Sequence, residues 1–555
     1  MTASTSSLLA RLRNITISAR LLILLTATFI IVANNGALFR ALGSKLEILS
    51  VGGATFVFSA YLLLITVLSI AFFIAGHPYT LKPVLIFFIG LSAVLSYFSQ
   101  QLGVVFDVDM IRNVAETIRD NNQQEAFELL SFALLLHLFF YGLLPSLIIV
   151  VVKPVYEKPL PELLKRTGYV AAMLAVVGLT VWANFKFTSF FVRENREIRV
   201  YTIPTYPIFA LQQYAKKLRK SEAVPFETIG LDAVQEKQSP KRTIGVMVVG
   251  ETARADHFSL NGYDRLTNPI LSQESLLNFS NVTAAGTSTA YSVPSMFTFM
   301  KPNKFTPEKA ASVSNVLDVL KKAGVDVFWI ENNSSSKGVA NRIETLDLRK
   351  APDPTDPLYS DGGYYDEALV NYFDECVANA TGDVLLILHT MGSHGPTYHK
   401  RYPPDHAQFV PDCKSSSPQE CSSEEVINAY DNTILYTDFV LGGLIDYLKA
   451  RGEQDDTFLL YASDHGESLG EDGVYLHGLP KFLAPEAQTH VPMLAWVSQG
   501  YAASHNMPKA ALGATVDQPL THENIPHSLL SLMGVKTELY LNEFDLFAPY
   551  RETAQ

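Results

Sequence analysis

The sequence predicts an N-terminal five-helix transmembrane domain followed by a C-terminal α/β domain with a largely parallel sheet covered by helices. Three observations carry that prediction. Apolar stretches without a charged residue run over residues 21–39, 51–75, 83–106, 129–152 and 167–185, each long enough to cross a hydrocarbon core of about 30 Å. From Lys241 onward, apolar runs of strand length alternate with helical stretches, the pattern of a parallel sheet whose crossovers are helices. Several of those runs end in ionisable side chains, and in open α/β sheets functional groups collect just beyond the carboxyl ends of the strands. The expected boundaries are 1–185 for the membrane domain, 186–236 for a linker and 237–555 for the outer domain.

Arg11, Arg13 and Arg20 precede the first apolar run. That is also the layout of a cleaved signal peptide, but four further spans favour an uncleaved anchor. Basic residues flanking the spans divide eight to four. Arg11, Arg13, Arg20, Lys82, Lys153, Lys158, Lys165 and Arg166 lie on the side of the N-terminus, and Arg40, Lys45, Arg112 and Arg119 on the other. The positive-inside rule then keeps the N-terminus in the cytoplasm, and an odd number of spans puts everything after residue 185 outside. Pro145 should kink the fourth span, and His137 in it reads as packing between helices. Between the third and fourth spans, Met110, Ile111, Val114 and Ile118 recur at helical spacing, which predicts a short interfacial helix; a solvated loop is the alternative. In the linker, Ile208, Leu211, Ala215 and Leu218 mark one helical face beside Lys216, Lys217, Arg219 and Lys220. This pattern predicts an amphipathic helix on the lipid headgroups, with a helix packed on the outer domain as the alternative.

The net charge of −12 argues against a nucleic-acid partner. All three cysteines fall in the outer domain, where disulfides persist. Cys413 and Cys421 share a polar loop and are expected to pair, which leaves Cys376 as a packed side chain on a helix.

In the outer domain the runs Thr243–Val249, Val325–Ile330, Asp383–Leu388, Thr457–Ser463 and Pro492–Val497 read as buried strands, and Val313–Ala323 and Glu424–Ala450 as helices. The first run delivers Glu251, the second Asn332 and Asn333, the third His389 and then His394, and the fourth Asp464 and His465. Glu251, Asp464 and His465 supply two carboxylates and an imidazole, a set that suits zinc once one more oxygen completes a tetrahedron. The Gly/Ser/Thr-rich turn Gly286-Thr-Ser-Thr289 leads into a helical segment and offers that oxygen; Thr287, Ser288 and Thr289 all carry hydroxyls. A hydroxyl on a metal loses its proton readily and becomes a nucleophile. An ordinary N-cap is the plain alternative for this turn. His389, His394 and His477 could hold a second metal, or bind and protonate the leaving group of a phosphate ester. Lys337 is a candidate phosphate clamp, while His399, His406 and His490 read as surface or structural.

Gly250-Glu-Thr-Ala-Arg-Ala-Asp256, Gly286-Thr-Ser-Thr-Ala-Tyr-Ser-Val-Pro294, Leu388-His-Thr-Met-Gly-Ser-His-Gly-Pro396, Ile427-Asn-Ala-Tyr-Asp-Asn432 and Ser463-Asp-His-Gly-Glu-Ser468 together resemble the motif set of the lipid A phosphoethanolamine transferases. That family includes the mobile colistin-resistance enzymes, and the likeness extends over nearly the whole chain. It implies an alkaline-phosphatase/sulfatase-like fold for the outer domain and a multi-pass protein of the bacterial inner membrane with its catalytic domain in the periplasm.

The resemblance also assigns roles. It makes Thr289 the transiently modified nucleophile and Glu251, Thr289, Asp464 and His465 the ligands of one tight zinc. It puts His394 and His477 around a second, weaker zinc and the substrate phosphate. Asn333, Ser334, Lys337 and His389 match substrate-contacting positions, and Asn113 and Thr117 positions that meet the donor lipid. Glu125 stands four residues later than the family's corresponding glutamate, about one helical turn. Where the family often brackets its nucleophile loop with a cystine, this chain has Ala285 and Ser295. The implied reaction transfers phosphoethanolamine from phosphatidylethanolamine to a phosphate of lipid A, which lowers surface negative charge and the affinity for polymyxins. A related enzyme acting on the lipopolysaccharide core, or a phosphoglycerol transferase, is the alternative. The expected partners are the two lipids and the membrane, and the protein is expected to be a monomer.

Overall fold

Runs of about twenty apolar residues satisfy their backbone polar groups internally only as helices, and the first third of the chain folds accordingly. A computed structural model describes residues 15–119, 128–222, 225–350, 352–360, 363–508 and 513–551. The chain forms two compact units, one of Met1–Ile111 with Leu130–Gln213 and the other of Arg112–Leu129 with Tyr214–Gln555.

In the first unit the expected span at 21–39 is a bent pair, α1 (Ala19–Ala33) and α2 (Gly36–Gly43), meeting at 52°. Asn35 accounts for the break. Its side chain is fully buried and bonds the main chain of Ile203, donating to the carbonyl at 2.8 Å and accepting from the N–H at 2.7 Å, and also donates to the Ile30 carbonyl of α1 at 3.4 Å. The next two spans are α3 (Val51–Ala75) and α4 (Leu81–Gln101). The segment expected to be interfacial does form a helix, α5 (Val108–Arg119). The last two spans are α6 (Phe132–Val151) and α7 (Pro159–Ala183), so the described residues hold four helices able to cross a membrane, and five spans if the bent pair counts as one. Pro145 does not act through a simple kink. It follows a π-helical stretch, Leu138–Leu143, which widens the turn where a proline ring would meet the preceding carbonyls. His137 packs between helices as expected, 2.9 Å from the Ser96 hydroxyl and stacked on Tyr141. The linker helix is α8 (Thr205–Glu222). Ala210 and Tyr214 are buried, while Leu211 and Leu218 of the predicted apolar face stay exposed.

The second unit is built on a nine-stranded sheet. Its strands, with the helices that matter here, are β1 (Arg242–Gly250), β2 (Leu277–Thr283), α9 (Thr289–Met296), α10 (Val316–Ala323), β3 (Asp326–Glu331), β4 (Glu344–Asp347), β5 (Val384–His389), α11 (Ser423–Arg451), β6 (Asp455–Ser463), β7 (His490–Val497), β8 (Thr515–Val516), β9 (Leu520–Thr521) and α12 (Asn524–Leu532). The order is β8-β2-β7-β6-β1-β5-β3-β4, with β9 also on β2. The block β6-β1-β5-β3-β4 is parallel, and β7 is antiparallel to both of its neighbours.

The central strands are buried on both faces, which is why they read as unbroken apolar runs rather than alternating ones. Along β1, Ile244, Val246 and Val248 pack into one core layer while Met247 and Val249 pack into the other, the two-residue period of a strand. α11 covers one side with Tyr430, Ile434, Leu441 and Leu444, and α10 and α12 cover the other with Leu317, Leu320, Leu529 and Leu530. Cys413 and Cys421 form the expected disulfide, and Cys376 is buried on the helix Phe373–Asn379.

Candidate active site and metal centre

Strand register decides which of the polar strand ends meet. Ser463 of β6 pairs with Gly250 of β1, Val249 of β1 with His389 of β5, and His389 with Glu331 of β3. The residues that follow therefore emerge side by side at the carboxyl edge, namely Asp464, Glu251, Thr390 and Asn332. The loop after β5 lies directly on the one after β1. The Ser393 N–H donates to the Glu251 carbonyl at 3.0 Å, and a Cβ on Gly392 would stand 2.6 Å from that oxygen, so only glycine fits. Thr252 takes a left-handed φ of 52°, a strained conformation for a β-branched residue at the point where the chain leaves Glu251.

Thr289, the first residue of α9, faces this edge. Its Oγ1 donates to Glu251 at 3.0 and 3.2 Å and lies 3.3 Å from Nε2 of His465. Nε2 of His465 is also 3.3 Å from Glu251 Oε1 and 3.4 Å from Asp464 Oδ2. The ring's Nδ1 donates to the Gly466 carbonyl at 2.9 Å, which turns Nε2 toward the cluster. Glu251, Asp464 and His465 are completely buried, and Asp464 Oδ2 has no hydrogen-bond partner.

These residues fit a divalent metal. Ligand atoms about 2.0 Å from a tetrahedral zinc are about 3.3 Å from one another, and the separations given above run from 3.0 to 3.4 Å. The charge balance points the same way. Burial disfavours charge on His465, yet Asp464 and Glu251 outweigh it and raise its pKa to about 10. Burial and the Glu251 charge push Asp464 up to about 6. Burial also works against the Glu251 carboxylate, but its bond and attraction to His465 hold it well below the usual range. Two buried carboxylates thus compete for a single imidazolium, the imbalance that a metal ion relieves.

The turn that leads to Thr289 is tied down from several sides. Thr287 is turned away from the cluster and gives its hydroxyl to the Leu479 carbonyl at 2.6 Å. Lys481 donates to the carbonyls of Ala284 and Ala285 at 3.0 and 3.1 Å. His522, buried behind the turn, accepts the Ala285 N–H on Nδ1 at 3.3 Å and donates from Nε2 to the Ser463 carbonyl at 3.0 Å. It bridges the strand that ends in Asp464 and His465 and the turn that carries the hydroxyls. His477 approaches from the other side. Its Nδ1 pairs with Glu467 at 2.7 Å, and Glu251, His465 and His477 place ligand atoms within 4.8 Å of one another. The His394 ring lies 5.4 Å from that of His477.

Comparison with known proteins decides what this constellation belongs to. A family profile described as "Phosphoethanolamine transferase EptA/EptB" matches residues 62–218, and one described as "Sulfatase" matches residues 244–535. The chain is 38% identical to phosphatidylethanolamine transferase Mcr-1 of Escherichia coli over 87% of its own length and 88% of that protein. It is 33% identical to phosphoethanolamine transferase EptA of Escherichia coli K12 over 96% of its length and 97% of the relative. The structure of the integral membrane lipooligosaccharide phosphoethanolamine transferase A from Neisseria meningitidis superposes with a TM-score of 0.91 at 30% identity, covering 97% of this chain and all of that one. The chain belongs to the lipid A phosphoethanolamine transferase family of EptA and Mcr proteins, within the sulfatase/alkaline phosphatase superfamily. It is a phosphoethanolamine transferase, a multi-span membrane protein with a periplasmic catalytic domain.

The other residues singled out in the transferase sequence fall into two groups. Asn333 belongs to the centre, where its Nδ2 donates to Glu251 Oε2 at 2.8 Å. Ser334 follows it, with its carbonyl receiving Arg349. Lys337 lies on the same loop, 4.0 Å from Glu116 of α5. Asn113 and Thr117 sit half-buried on α5, the helix that presents Arg112 to Glu308 in a buried ion pair of 2.6 Å and leaves Val114 and Ile118 exposed. Glu125 lies outside the described residues. His389 is fully buried and pairs with Glu331. A cleft beside the site is lined by Asn332, Asn333, Arg349, His394, Lys400 and Arg401. Sequence reasoning missed Glu331, Glu467 and His522. Glu467 lies in the motif Ser463–Ser468 and could have been found there; the other two have no local signal.

Proposed function

We propose that the protein transfers phosphoethanolamine from phosphatidylethanolamine to a phosphate of lipid A, by way of a phosphoethanolamine ester on Thr289. The observation that carries this reading is the Thr289 hydroxyl, held between Glu251 and His465 beside the unpartnered Asp464 oxygen. The related enzymes named above act on phosphatidylethanolamine and lipooligosaccharide, which supports these lipids as donor and acceptor.

In the first step Thr289 Oγ1 bonds to phosphorus as the bond to the diacylglycerol oxygen breaks. Asn333 holds Glu251, and Glu251 holds the hydroxyl, so the oxygen is in place before the substrate arrives. His394 and His477 flank the centre and are assigned to the phosphate and to the proton that the departing oxygen needs. In the second step a phosphate oxygen of lipid A attacks the same phosphorus, the ester to Thr289 breaks and the hydroxyl is restored. Glu251, Thr289, Asp464 and His465 would hold one tight zinc, which lowers the pKa of the hydroxyl and offsets charge on the phosphoryl oxygens. His477 with His394 offers a weaker second position. Lys400 borders the cleft beside the site, where Arg349 and Arg401 are already paired with Asp347 and Glu128 at 3.2 and 2.6 Å.

Adding a cationic amine lowers the negative charge of the outer surface, so weaker binding of polymyxins is the expected result. Mass spectrometry of lipid A from cells with and without the protein tests the reading. Lipid A heavier by one phosphoethanolamine unit is expected. The unit on a core sugar would overturn the acceptor, and a glycerol phosphate would overturn the donor.

A further inference from the structure

Glu331 closes β3 and stands opposite His389 in the parallel register of β3 and β5. It is 2% exposed, among apolar strands, in a position where a carboxylate needs a reason to be. Its two oxygens receive three donors. The Trp329 indole N–H arrives at 2.8 Å, the Asn333 main-chain N–H at 2.7 Å, and His389 Nδ1 at 2.9 and 3.0 Å from the two oxygens. A carboxylate with that set of partners acts only as an acceptor, so Nδ1 of His389 carries a proton and the ring presents Nε2 on its far side. Nε2 is buried and has no hydrogen-bond partner. His389 stands opposite Val249 in the register of β5 and β1, two residues before Glu251. A buried ring nitrogen held this firmly and left without a hydrogen-bond partner is arranged for a group that arrives later.

The same carboxylate fixes a second group. By taking the Asn333 N–H it sets the turn from which Asn333 Nδ2 reaches Glu251 Oε2 at 2.8 Å. Glu331 touches none of the four candidate ligands, yet it orients two residues that border them.

We propose that Glu331 is a positioning residue for the transfer reaction: it locks His389 in the orientation that offers Nε2 to a phosphoryl oxygen of the substrate, and it sets Asn333 against Glu251. The inference rests on the reading of Thr289 as the group that receives the phosphoryl unit. Carboxylates that orient a histidine in this way typically matter by about 10–100-fold when removed, and a residue that acts through another loses its effect once the other is gone.

The test is a double-mutant cycle on the full chain in vesicles of phosphatidylethanolamine. Mass spectrometry follows the rate of phosphoethanolamine adduct formation on the peptide containing Thr289, with donor lipid alone. Glu331→Gln puts an amide N–H2 where only acceptors fit and should slow the maximal rate about 10–100-fold, with bound zinc and the melting midpoint near wild type. His389→Asn should slow it too, and adding Glu331→Gln to His389→Asn should cost several-fold less than Glu331→Gln costs alone, the remainder being the share that acts through Asn333. If Glu331→Gln does not fold, Glu331→Asp keeps an acceptor for Trp329 and Asn333, shortens the reach to His389, and is read in the same cycle. Wild-type rates in the Glu331 variants, fully multiplicative losses in the double variant, or a loss that tracks departure of zinc would overturn the inference while leaving the nucleophile standing. A wild-type chain that forms no adduct on Thr289 would overturn the nucleophile, and this inference with it.

Discussion

The Thr289 hydroxyl donates to Glu251 at 3.0 Å, while two residues earlier the Thr287 hydroxyl is bound to the Leu479 carbonyl at 2.6 Å. Of the two threonines in the turn, only Thr289 faces the acidic cluster. Thr289→Ala is expected to abolish transfer and the covalent adduct, since a nucleophile displaced by about 1 Å can lose a hundredfold and an absent one loses the step. Thr289→Ser should retain activity, because it keeps the oxygen and loses only the methyl that restricts χ1. Thr287→Ala and Ser288→Ala should still form the adduct. Peptide mass spectrometry after incubation with donor lipid decides, and an adduct on residue 287 or 288 would contradict the assignment.

Metal binding should be coupled to protons. Without a cation, Asp464 and Glu251 raise the His465 pKa to about 10, so at neutral pH the ring carries a proton that it must give up to become a ligand. One proton released per ion means that apparent zinc affinity rises about tenfold per pH unit between about pH 7 and 9. Below about pH 6 Asp464 takes up a proton as well, and the dependence steepens. Chelator competition at a series of pH values measures this slope, and a flat profile would show that His465 is not a ligand. One tightly held zinc per chain is expected; activity restored only by magnesium or manganese would point to a different metal.

Acid should loosen the turn that leads to Thr289. Burial lowers the His522 pKa from 6.5 to about 4, which keeps the ring neutral between Ala285 and Ser463. Between those values the unfolded chain binds a proton that the folded one excludes. The stability tied to His522 is therefore complete above about pH 6.5 and is lost as pH falls toward about 4, by about 3 kcal/mol in all. His522→Gln keeps an acceptor and a donor but cannot titrate, so its melting midpoint should fall less steeply with acid than that of the wild type. Parallel curves would rule out this role.

On α8, Lys216, Lys217 and Arg219 are exposed along with Leu211 and Leu218. Each basic side chain near an anionic surface is worth about 1 kcal/mol. Replacing the three with Glu should lower transfer from vesicles containing anionic lipid and spare a water-soluble short-chain donor. Equal loss on both donors would assign the helix to the fold instead.

Much of the site was legible because it is local. Glu251, His389, Asp464 and His465 each follow an apolar run within a few residues, and a parallel sheet delivers its strand ends to one edge whatever its order. The membrane spans were legible for a similar reason, since apolar length alone sets them. The choice among three adjacent hydroxyls was not local. Their spacing leaves them equivalent, and the family resemblance selected Thr289, the hydroxyl that the folded turn places on Glu251.

What the sequence by itself determined is the material of each part: which segments can lie in lipid, which strands are buried on both faces, and which side chains arrive at the sheet edge. Tertiary structure decided the partners. Glu331 and His389 are 58 residues apart and meet only because β3 lies beside β5 in a register that puts them opposite. His522 reaches Ser463 across 59 residues, and Asn35 reaches Ile203 across 168, with a bent helix as the result. Strand order and register come from packing the whole sheet between its two layers of helices, and a run of valines and leucines is compatible with many neighbours. A buried polar group must therefore wait for the fold to show which partner satisfies it.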